Sequence, residues 1–316
     1  MHSIRPLIEF DPPDLSDYRQ GNTGIEYVWS FTGAEPGPHV VLTALTHGNE
    51  ISGAIALDHL LRAGVRPARG KLSFVFANIA AYHSFNRRDP ITARYLDEDL
   101  NRLWDAAVLD SARDSRELAR ARALRPVFDS ADLLLDLHSM INTSMPMSLT
   151  GIHTKHLDFA RRMGFPALLV RDSGHAAGSR LREYGRFSDP AEPAIALLVE
   201  CGQHWSQQTA DVAIETAWRF LVVSGAIPAR EAPSWLARKV LPQKTVLVTH
   251  RITATLDNFR FTENFQGLEV IPRAGTVIAR EGGNQICTPY DNCLLIMPTP
   301  RPSEGQTAVR LGRFEE

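Results

Sequence analysis

Short apolar runs alternate along most of the chain with segments in which apolar residues return at helical spacing. The runs have the length and composition of buried strands, and they lie at residues 40–45, 71–79, 133–138, 167–171 and 194–201. Helical spacing occurs at residues 51–61, 114–128, 156–163 and 208–223. Strands that alternate with helices predict an α/β fold, with a mostly parallel mixed sheet and helices on both of its faces.

The pattern changes near Ala226, where prolines become frequent. Beyond that point, short β-like runs are separated by Gly, Pro and Asn, at residues 245–249, 268–271, 277–280 and 294–297. We therefore expect two domains, an α/β domain at residues 1–230 and a small all-β domain at residues 231–316. The first begins with a lead-in at residues 1–37, which contains one predicted strand at residues 25–31.

Three polar segments connect the predicted elements. Residues 80–105 form a long segment, and such segments in compact domains are usually functional or disordered. Residues 142–150 are predicted to be a loop. Residues 174–189 contain three glycines, which favours a mobile loop that could close over a site as a lid.

Charge and composition exclude several functional classes. The formal net charge of −2 gives no bulk attraction to nucleic acid or to an anionic membrane. Residues 1–10 lack the apolar stretch of a secretory signal, and no segment approaches the roughly 18 apolar residues that span a bilayer. The three cysteines have no zinc-finger spacing and are expected to be reduced thiols. We expect a cytoplasmic protein that binds neither nucleic acid nor membrane.

The strongest chemical signal is the pair His47 and Glu50, which follows the strand at residues 40–45 and precedes a predicted helix. The ligand sites of open α/β sheets lie at such strand ends. An imidazole and a carboxylate three residues apart on one turn can reach a single cation, and Gly48 allows unusual backbone angles between them. The H-x-x-E pattern requires a third ligand from elsewhere.

His138 is the candidate third ligand, because it ends the apolar run at residues 133–138. Unpaired polar groups are costly in a buried strand, so Asp136 and His138 are expected to have a functional role there. Period-two geometry puts them on the same face, and Asp136 could orient a metal-binding imidazole. Two histidines and one glutamate form a catalytic zinc set with one position open to water.

Two further groups could carry chemistry beside a metal. Asn101 and Arg102 lie in the long polar segment, and they could clamp a carboxylate through the amide and the planar guanidinium. A solvated loop with surface ion pairs is the alternative. Glu200 ends the apolar run at residues 195–199, where burial can raise its pKa toward that of a general base or acid. The alternative for Glu200 is a structural ion pair.

Taken together, these motifs resemble the succinylglutamate desuccinylase/aspartoacylase family, a branch of the zinc carboxypeptidase-like fold. The resemblance spans roughly residues 38–225, and its four motifs are T-H-G-N-E at 46–50, D-x-D-L-N-R at 97–102, D-L-H at 136–138 and E-x-G at 200–202. Residues 264–291 look like the barrel-sandwich β domain of the same family. The resemblance implies a zinc-dependent hydrolase that cleaves the amide bond of a small-molecule N-acyl substrate.

Each motif carries an implied role when the resemblance is transferred residue by residue. One zinc ion per chain would be bound by His47, Glu50 and His138. Glu200 would activate the water and pass its proton to the leaving amine, and Arg94 would help to polarise the scissile carbonyl. The α-carboxylate of the amino-acid portion would be held by Asn101 and Arg102.

Two positions depart from the family pattern. Pro190 stands where aspartoacylases carry an arginine that binds the carboxylate of the acyl chain, and Arg182 and Arg186 lie near but are not aligned. Tyr290 is the candidate for a substrate-binding tyrosine from the C-terminal domain. The acyl group and the amine are therefore open, and the substrate could be another N-acyl amino acid or an N-acyl diamine.

Two other functional classes stay open at this point. Two histidines and one carboxylate also form the metal site of non-haem iron oxygenases, although those sites usually lie on β-barrels. The chain could also be a metal-binding scaffold without catalysis. The sequence does not decide whether the chain forms a homo-oligomer.

Overall fold

The computed structural model describes residues 7–174, 177–238 and 241–315. Within these residues the strands are β1 (Val28–Thr32), β2 (Glu35–Ala44), β3 (Arg69–Phe76), β4 (Leu133–Met140), β5 (Met147–Leu149), β6 (Leu168–Arg171), β7 (Ile195–Gln203), β8 (Lys244–Thr253), β9 (Arg260–Phe261), β10 (Val270–Ile271), β11 (Val277–Glu281), β12 (Asn284–Cys287), β13 (Cys293–Ile296) and β14 (Thr307–Phe314). The α-helices are α1 (Ile51–Arg62), α2 (Ile79–His83), α3 (Ala106–Leu109), α4 (Arg116–Asp129), α5 (Thr154–Met163) and α6 (Gln207–Val223).

Short 3-10 helices occupy several of the connections. They lie at Ser16–Tyr18, Pro90–Arg94, Leu100–Arg102, Leu181–Glu183, Gly185–Phe187, Ala229–Glu231 and Ser234–Ala237. Two of them fall in the long polar segment at residues 80–105, which is therefore ordered in short turns. Among the described residues, no helix combines the length and the apolar character that crossing a bilayer requires.

The central sheet has the strand order β1-β3-β2-β4-β7-β5-β6-β8-β14-β13-β10. The strands β3, β2, β4 and β7 are parallel neighbours, whereas β1 is antiparallel to β3 and β5 is antiparallel to β7. Parallel strands need long crossover connections, and helices usually supply them. The predicted mostly parallel mixed sheet is confirmed.

Helices cover both faces of this sheet, as predicted. Successive residues of a strand point to opposite faces: on one face, Leu42, Leu135 and Leu197 join a buried cluster with α1, α5 and α6. On the other face, the neighbouring strand residues Val41, Leu134 and Ala196 pack against α4 and against the segment around residues 181–187. Because β2, β4 and β7 are parallel neighbours, their carboxyl ends lie along one edge of the sheet.

The C-terminal part is rich in strands, as predicted, and it continues the central sheet. β8 pairs in parallel with β6, and β14, β13 and β10 follow it in the same sheet. A separate small sheet has the order β12-β11-β9. The hydrogen-bonded sheet thus crosses the predicted boundary at residues 230 and 231, and the division into two domains stays a prediction.

Two predicted loops contain more structure than their sequences indicate. The loop predicted at residues 142–150 includes β5, whose three buried residues pair with both β6 and β7. A strand of three residues is too short to give a periodic signal. In the predicted lid at residues 174–189, Leu181 and Phe187 are buried in the core, and residues 175–176 lie outside the described residues. The described part of this segment is packed, because its apolar residues have partners in the core.

Candidate active site

The turn after β2 presents the first two residues of the predicted metal site. β2 ends at Ala44, Leu45 follows with a φ of 61°, and α1 begins at Ile51. A positive φ is unfavourable for leucine, so the chain bends sharply at the end of the strand only because the surrounding packing holds it there. His47 and Glu50 therefore lie between β2 and α1, at the predicted strand end.

Gly48 provides space in this turn. A Cβ atom at position 48 would clash with the backbone of Ala81 and Tyr82 in α2. Its φ lies outside the left-handed region that favours glycine, so the expectation that Gly48 supplies unusual backbone angles is wrong. Glycine fits here because α2 packs directly on the turn.

The structure brings together the three side chains predicted to bind a metal. His47 Nδ1 lies 2.7 Å from Glu50 Oε1, and His138 Nδ1 lies 2.9 Å from Glu50 Oε2. One ligand atom from each residue lies within 4.8 Å of the others. All three residues are buried. Two imidazole nitrogens that converge on one carboxylate match the donor set that three-ligand catalytic metal sites use.

Each imidazole also meets a second carboxylate on its far side. His47 Nε2 is 3.0 Å from Asp99 Oδ1, and His138 Nε2 is 2.8 Å from Asp136 Oδ2, although these two atoms are not aligned for a hydrogen bond. Thr46 donates from its hydroxyl to the other oxygen of Asp136. Metal-binding histidines usually have such partners, which fix the ring orientation and tautomer. The residues therefore fit a divalent cation.

The charges at this site also favour a cation. Burial alone would raise the pKa of Glu50, but the imidazoles of His47 and His138 outweigh burial and hold it well below its usual range. Burial likewise disfavours the charged form of His138, yet Asp136 and Glu50 raise its pKa well above the ordinary value. A buried group of carboxylates that stays ionised needs positive charge among them.

Glu200 lies directly beside the candidate metal-binding group, His47, Glu50 and His138. It is the register partner of His138 across the parallel pair β4 and β7, so both side chains leave the sheet on the same face. Burial, followed by the Glu50 carboxylate, raises the pKa of Glu200 to about 8. Among the described residues, its Oε2 atom is buried without a hydrogen-bond partner. A half-buried carboxyl group with an unused oxygen and a raised pKa is suited to proton transfer.

Arg94 reaches the same group from the end of the 3-10 helix Pro90–Arg94. Its Nη1 atom donates to Glu50 Oε1 at 3.4 Å, and Nη2 donates to Asp99 Oδ2 at 3.2 Å. About a third of the side chain (35%) is exposed. The guanidinium therefore borders the metal-binding group and retains access to solvent, as a residue that contacts substrate must.

Asn101 and Arg102 are placed near the group but hold other contacts. Asn101 Oδ1 accepts a hydrogen bond from the backbone N–H of Leu181 at 2.9 Å. Arg102 Nη1 donates to the carbonyl of Asn101, and Nη2 lies 3.9 Å from Asp99 Oδ2. Burial lowers the pKa of Arg102 to about 10. The role of this pair in binding an α-carboxylate stays a prediction.

Tyr290 lies among the C-terminal strands. Its hydroxyl is 2.5 Å from Thr249 Oγ1, and its ring faces His250. No contact described in the structure joins Tyr290 to the His47, Glu50 and His138 group. Its part in substrate binding is therefore a prediction without support from these contacts.

Ser139 and His204 support the site and were missed in the sequence. The backbone N–H of Ser139 donates to Glu50 Oε2 at 2.9 Å, and its hydroxyl lies 2.8 Å from His204 Nδ1. Burial lowers the pKa of His204 to about 4, so its imidazole is neutral. The signal that identified His138 was a polar residue at the end of an apolar run, whereas His204 lies beyond the polar residues that follow the run at 195–199, so that signal did not find it.

Comparison with known proteins identifies a family that the chain resembles over most of its α/β part. Residues 36–223 match the family described as Succinylglutamate desuccinylase/Aspartoacylase catalytic domain. Aspartoacylase of Xenopus tropicalis is 32% identical over 128 residues, which are 37% of this chain and 38% of that protein. The match thus spans well under half of that relative.

Two longer matches cover most of the chain. Succinylglutamate desuccinylase of Pseudoalteromonas atlantica is 24% identical over 298 residues, which are 85% of this chain and 79% of that protein. A crystal structure of succinylglutamate desuccinylase from Vibrio parahaemolyticus covers 92% of this chain and 86% of that chain, with a TM-score of 0.67 and 18% identity. The structural likeness extends over both the α/β part and the C-terminal strands.

Proposed function

We infer that this chain, which belongs to the succinylglutamate desuccinylase/aspartoacylase family, is a metal-dependent hydrolase of small N-acyl amino acids. It would split the amide bond into a carboxylic acid and an amine. The observation that carries the proposal is the convergence of His47, Glu50 and His138 beside Glu200 at one edge of the sheet. The relatives are named as hydrolases of N-acyl amino acids, which supports the same chemistry.

We propose zinc as the cation, held by His47, Glu50 and His138. Two imidazoles and one carboxylate with a further position open are a ligand set of catalytic zinc. When bound, such an ion would lower the pKa of a water molecule and polarise a carbonyl group. Asp99 and Asp136 lie against the far sides of the two imidazoles, and such carboxylates would orient the rings so that the nitrogens facing Glu50 could bind the cation.

Glu200 is the proton-transfer group in this proposal. Its carboxylate takes a proton from the attacking water and delivers it to the amide nitrogen as the carbon–nitrogen bond breaks. A pKa raised by burial suits both steps, because the group must accept and release a proton near neutral pH. Its position beside His138 keeps it next to the cation ligands.

Arg94 and Arg102 bind the substrate in this proposal. Arg94 donates a hydrogen bond to the carbonyl oxygen, where negative charge develops as water attacks. Arg102, with Asn101, holds the α-carboxylate of the amino-acid portion. Both arginines interact with Asp99, which also contacts His47, so one carboxylate positions substrate-binding groups and a metal ligand together.

The test is zinc content together with hydrolysis of a panel of N-acyl amino acids by the full chain. We expect about one zinc per chain and amide hydrolysis without oxygen uptake. His47→Ala and His138→Ala should each lose both zinc and activity, whereas His59→Ala, which removes an exposed histidine from α1, should lose neither. Normal zinc content in either ligand variant would exclude this metal site. Bound iron with oxygen uptake would favour an oxygenase instead.

A further inference from the structure

Residues 94–102 pack against the start of α4, and the buried side chain of Glu117 makes the central contact. Glu117 lies in the first turn of α4 and is completely buried. Its Oε1 atom accepts a hydrogen bond from the backbone N–H of Leu96 at 2.7 Å, and its Oε2 atom accepts from those of Asp97 at 3.0 Å and Glu98 at 3.3 Å. One carboxylate therefore holds three successive backbone N–H groups.

These hydrogen bonds fix a part of the chain that lacks regular structure of its own. Residues 96–98 lie between the 3-10 helices Pro90–Arg94 and Leu100–Arg102, so their N–H groups depend on a side chain for acceptors. The three N–H groups point into the protein toward Glu117, where an N–H group without an acceptor is costly. The backbone conformation that satisfies all three is therefore favoured over its alternatives.

Glu117 also connects the segment to the turn after β2, on which two of the candidate metal ligands lie. Asn78 Nδ2 donates to Glu117 Oε1 at 3.1 Å, and the backbone N–H of Asn78 donates to the carbonyl of Leu45 at 2.8 Å. In the same turn, the backbone N–H of Gly48 donates to the carbonyl of Arg94 at 3.0 Å. The segment and the turn are thus joined both directly and through Asn78 and Glu117.

Two further contacts between α4 and the segment lie nearer the surface. Asp97 Oδ2 accepts from the backbone N–H of Arg116 at 2.8 Å and from its Nε atom at 2.9 Å. Ser115, the N-cap residue of α4, donates from its hydroxyl to Glu98 at 2.5 Å. The Arg116 side chain is 60% exposed, and exposed ion pairs contribute little to stability. Glu117 therefore makes the stronger part of the contact.

The segment carries groups on both sides of this contact that reach the candidate active site. Arg94 precedes the backbone that Glu117 holds, and its Nη1 atom donates to Glu50 Oε1 at 3.4 Å. Asp99 follows that backbone, and its Oδ1 atom lies 3.0 Å from His47 Nε2. A shift of the backbone between them would move both side chains, and a misplacement of about 1 Å in an active site can cost about 10²-fold in rate.

We propose that Glu117 is a positioning residue, which sets where Arg94 and Asp99 lie relative to the candidate metal ligands by fixing the backbone of residues 96–98. Its two oxygens are occupied by hydrogen bonds from Asn78 and from the backbone, so it acts on the reaction through those two side chains. Glu117 lies outside the four motifs that carry the family resemblance. The inference rests on the proposed hydrolase function.

The experiment measures kcat/KM per bound zinc at saturating zinc, on whichever of N-acetyl-L-aspartate, N-acetyl-L-phenylalanine and N-succinyl-L-glutamate the wild type cleaves fastest. Glu117→Gln keeps the shape but replaces one acceptor oxygen with an NH₂ donor. We expect it to lower kcat/KM by about 10- to 100-fold. In an Arg94→Ala background it should cost less than about threefold, because residues that act through one another are not additive. Equal losses in both backgrounds would overturn the inference.

Glu215→Gln is the matched control, because Glu215 is also a buried helical glutamate. It pairs with Arg219 at 2.9 Å and with Arg238, on α6 and beyond it. Both glutamine variants should unfold at lower urea concentration than wild type, but Glu215→Gln should leave kcat/KM per bound zinc unchanged. Losses of kcat/KM that follow stability in both variants would reduce Glu117 to a structural role.

Arg116→Glu tests the same contact if Glu117→Gln does not fold. The change is exposed and puts a like charge beside Asp97, so it should push the segment away from α4 without exposing the core. We expect a smaller loss of kcat/KM than for Glu117→Gln, and no further loss when Arg94→Ala is present. An unchanged kcat/KM in Arg116→Glu would then overturn the inference.

Zinc affinity separates failure of this inference from failure of the hydrolase proposal. Because Asp99 lies against His47, its displacement in Glu117→Gln should weaken zinc binding by about 10-fold, as loss of a supporting contact does. Competition with a chelator measures this whether or not an amide is cleaved, and Asp99→Asn should remove the effect of Glu117→Gln. A wild type that binds zinc but cleaves no amide contradicts only the hydrolase proposal. If no amide is cleaved, wild-type zinc affinity in Glu117→Gln would overturn the inference.

Discussion

Glu200 is the residue whose chemistry is most directly testable. Glu200→Gln removes the proton acceptor but keeps the size and leaves His47, Glu50 and His138 in place. We expect turnover to fall by about 10²-fold or more, the usual contribution of a general base, with zinc content unchanged. Steady-state kinetics and metal analysis on the same preparation provide the check. Near-normal turnover would remove Glu200 from proton transfer.

His204 supports the metal site through a single side-chain contact. Its Nδ1 atom faces the hydroxyl of Ser139, whose N–H donates to Glu50. His204→Ala should weaken zinc binding by about 10- to 100-fold, as loss of such supporting contacts typically does. His204→Asn, which can place a polar atom where Nδ1 lies, should retain most of the affinity. Competition with a chelator measures both, and equal affinities in His204→Ala and wild type would show that the contact is dispensable.

At the residue level, the sequence predicted that His47, Glu50 and His138 lie together, which the structure shows, but it missed the surrounding charges. His47, Glu50 and His138 were recognisable because polar residues interrupt apolar strands, and burying them without a purpose is costly. Arg180 and Arg310 are far apart in the sequence, yet both form ion pairs with Asp172. Nothing in either local sequence signals that meeting, because only the pairing of β14 with β8 and of β8 with β6 brings Arg310 there.

The segment at residues 178–183 is held in place by ion pairs instead of a long helix or strand. Glu183 accepts hydrogen bonds from the guanidiniums of Arg180 and Arg182 and from the backbone N–H of Arg180. Burial would raise its pKa, but Arg180 and then Arg182 lower it from 4.5 to about 2. Because the folded pKa is depressed, Glu183 stabilises the fold above the unfolded pKa of about 4.5. That contribution is lost as the pH falls toward 2.

Glu183→Gln should therefore lower the free energy of unfolding near neutral pH by about 3 kcal/mol, the order of magnitude of this pKa shift. The difference from wild type should stay constant between about pH 7 and 5 and narrow below about 4.5. Urea unfolding at several pH values measures it. The control variant is Asp158→Gln, because the Asp158 side chain is exposed on α5. A difference that does not change with pH would mean that Glu183 acts only through packing.

For the elements, periodicity was enough wherever a strand or helix had a full apolar face. The buried runs at 40–45 and 133–138 correspond to β2 and β4, and the helical spacing at 208–223 corresponds to α6. β5 was not predicted, because a buried strand of three residues is too short to show an alternation of apolar and polar positions. The three glycines in residues 174–189 favoured a mobile loop, but Leu181 and Phe187 of the same segment are buried.

At the scale of the whole molecule, the sequence predicts a domain boundary near residue 230, and the hydrogen-bonded sheet continues across that position. β6 and β8 pair across it, and one apolar cluster contains residues from both sides, including Leu149, Leu198, Val246 and Leu294. The Asp172–Arg310 ion pair also crosses it. Composition and proline content changed at this point, but hydrogen bonding between strands is not visible in composition. The C-terminal strands thus complete the central sheet.

We therefore expect residues 1–230 and 231–316 not to fold when produced separately. The first piece would expose the edge of β6 and six of the nine buried residues of that apolar cluster, and exposed strand edges promote aggregation. Circular dichroism should show that the intact chain unfolds in one cooperative transition. As a control, a protease site inserted after Glu231 and cut after folding should leave the two pieces associated, because their pairing is already formed. Two pieces that fold alone, with separate transitions, would instead support independent domains.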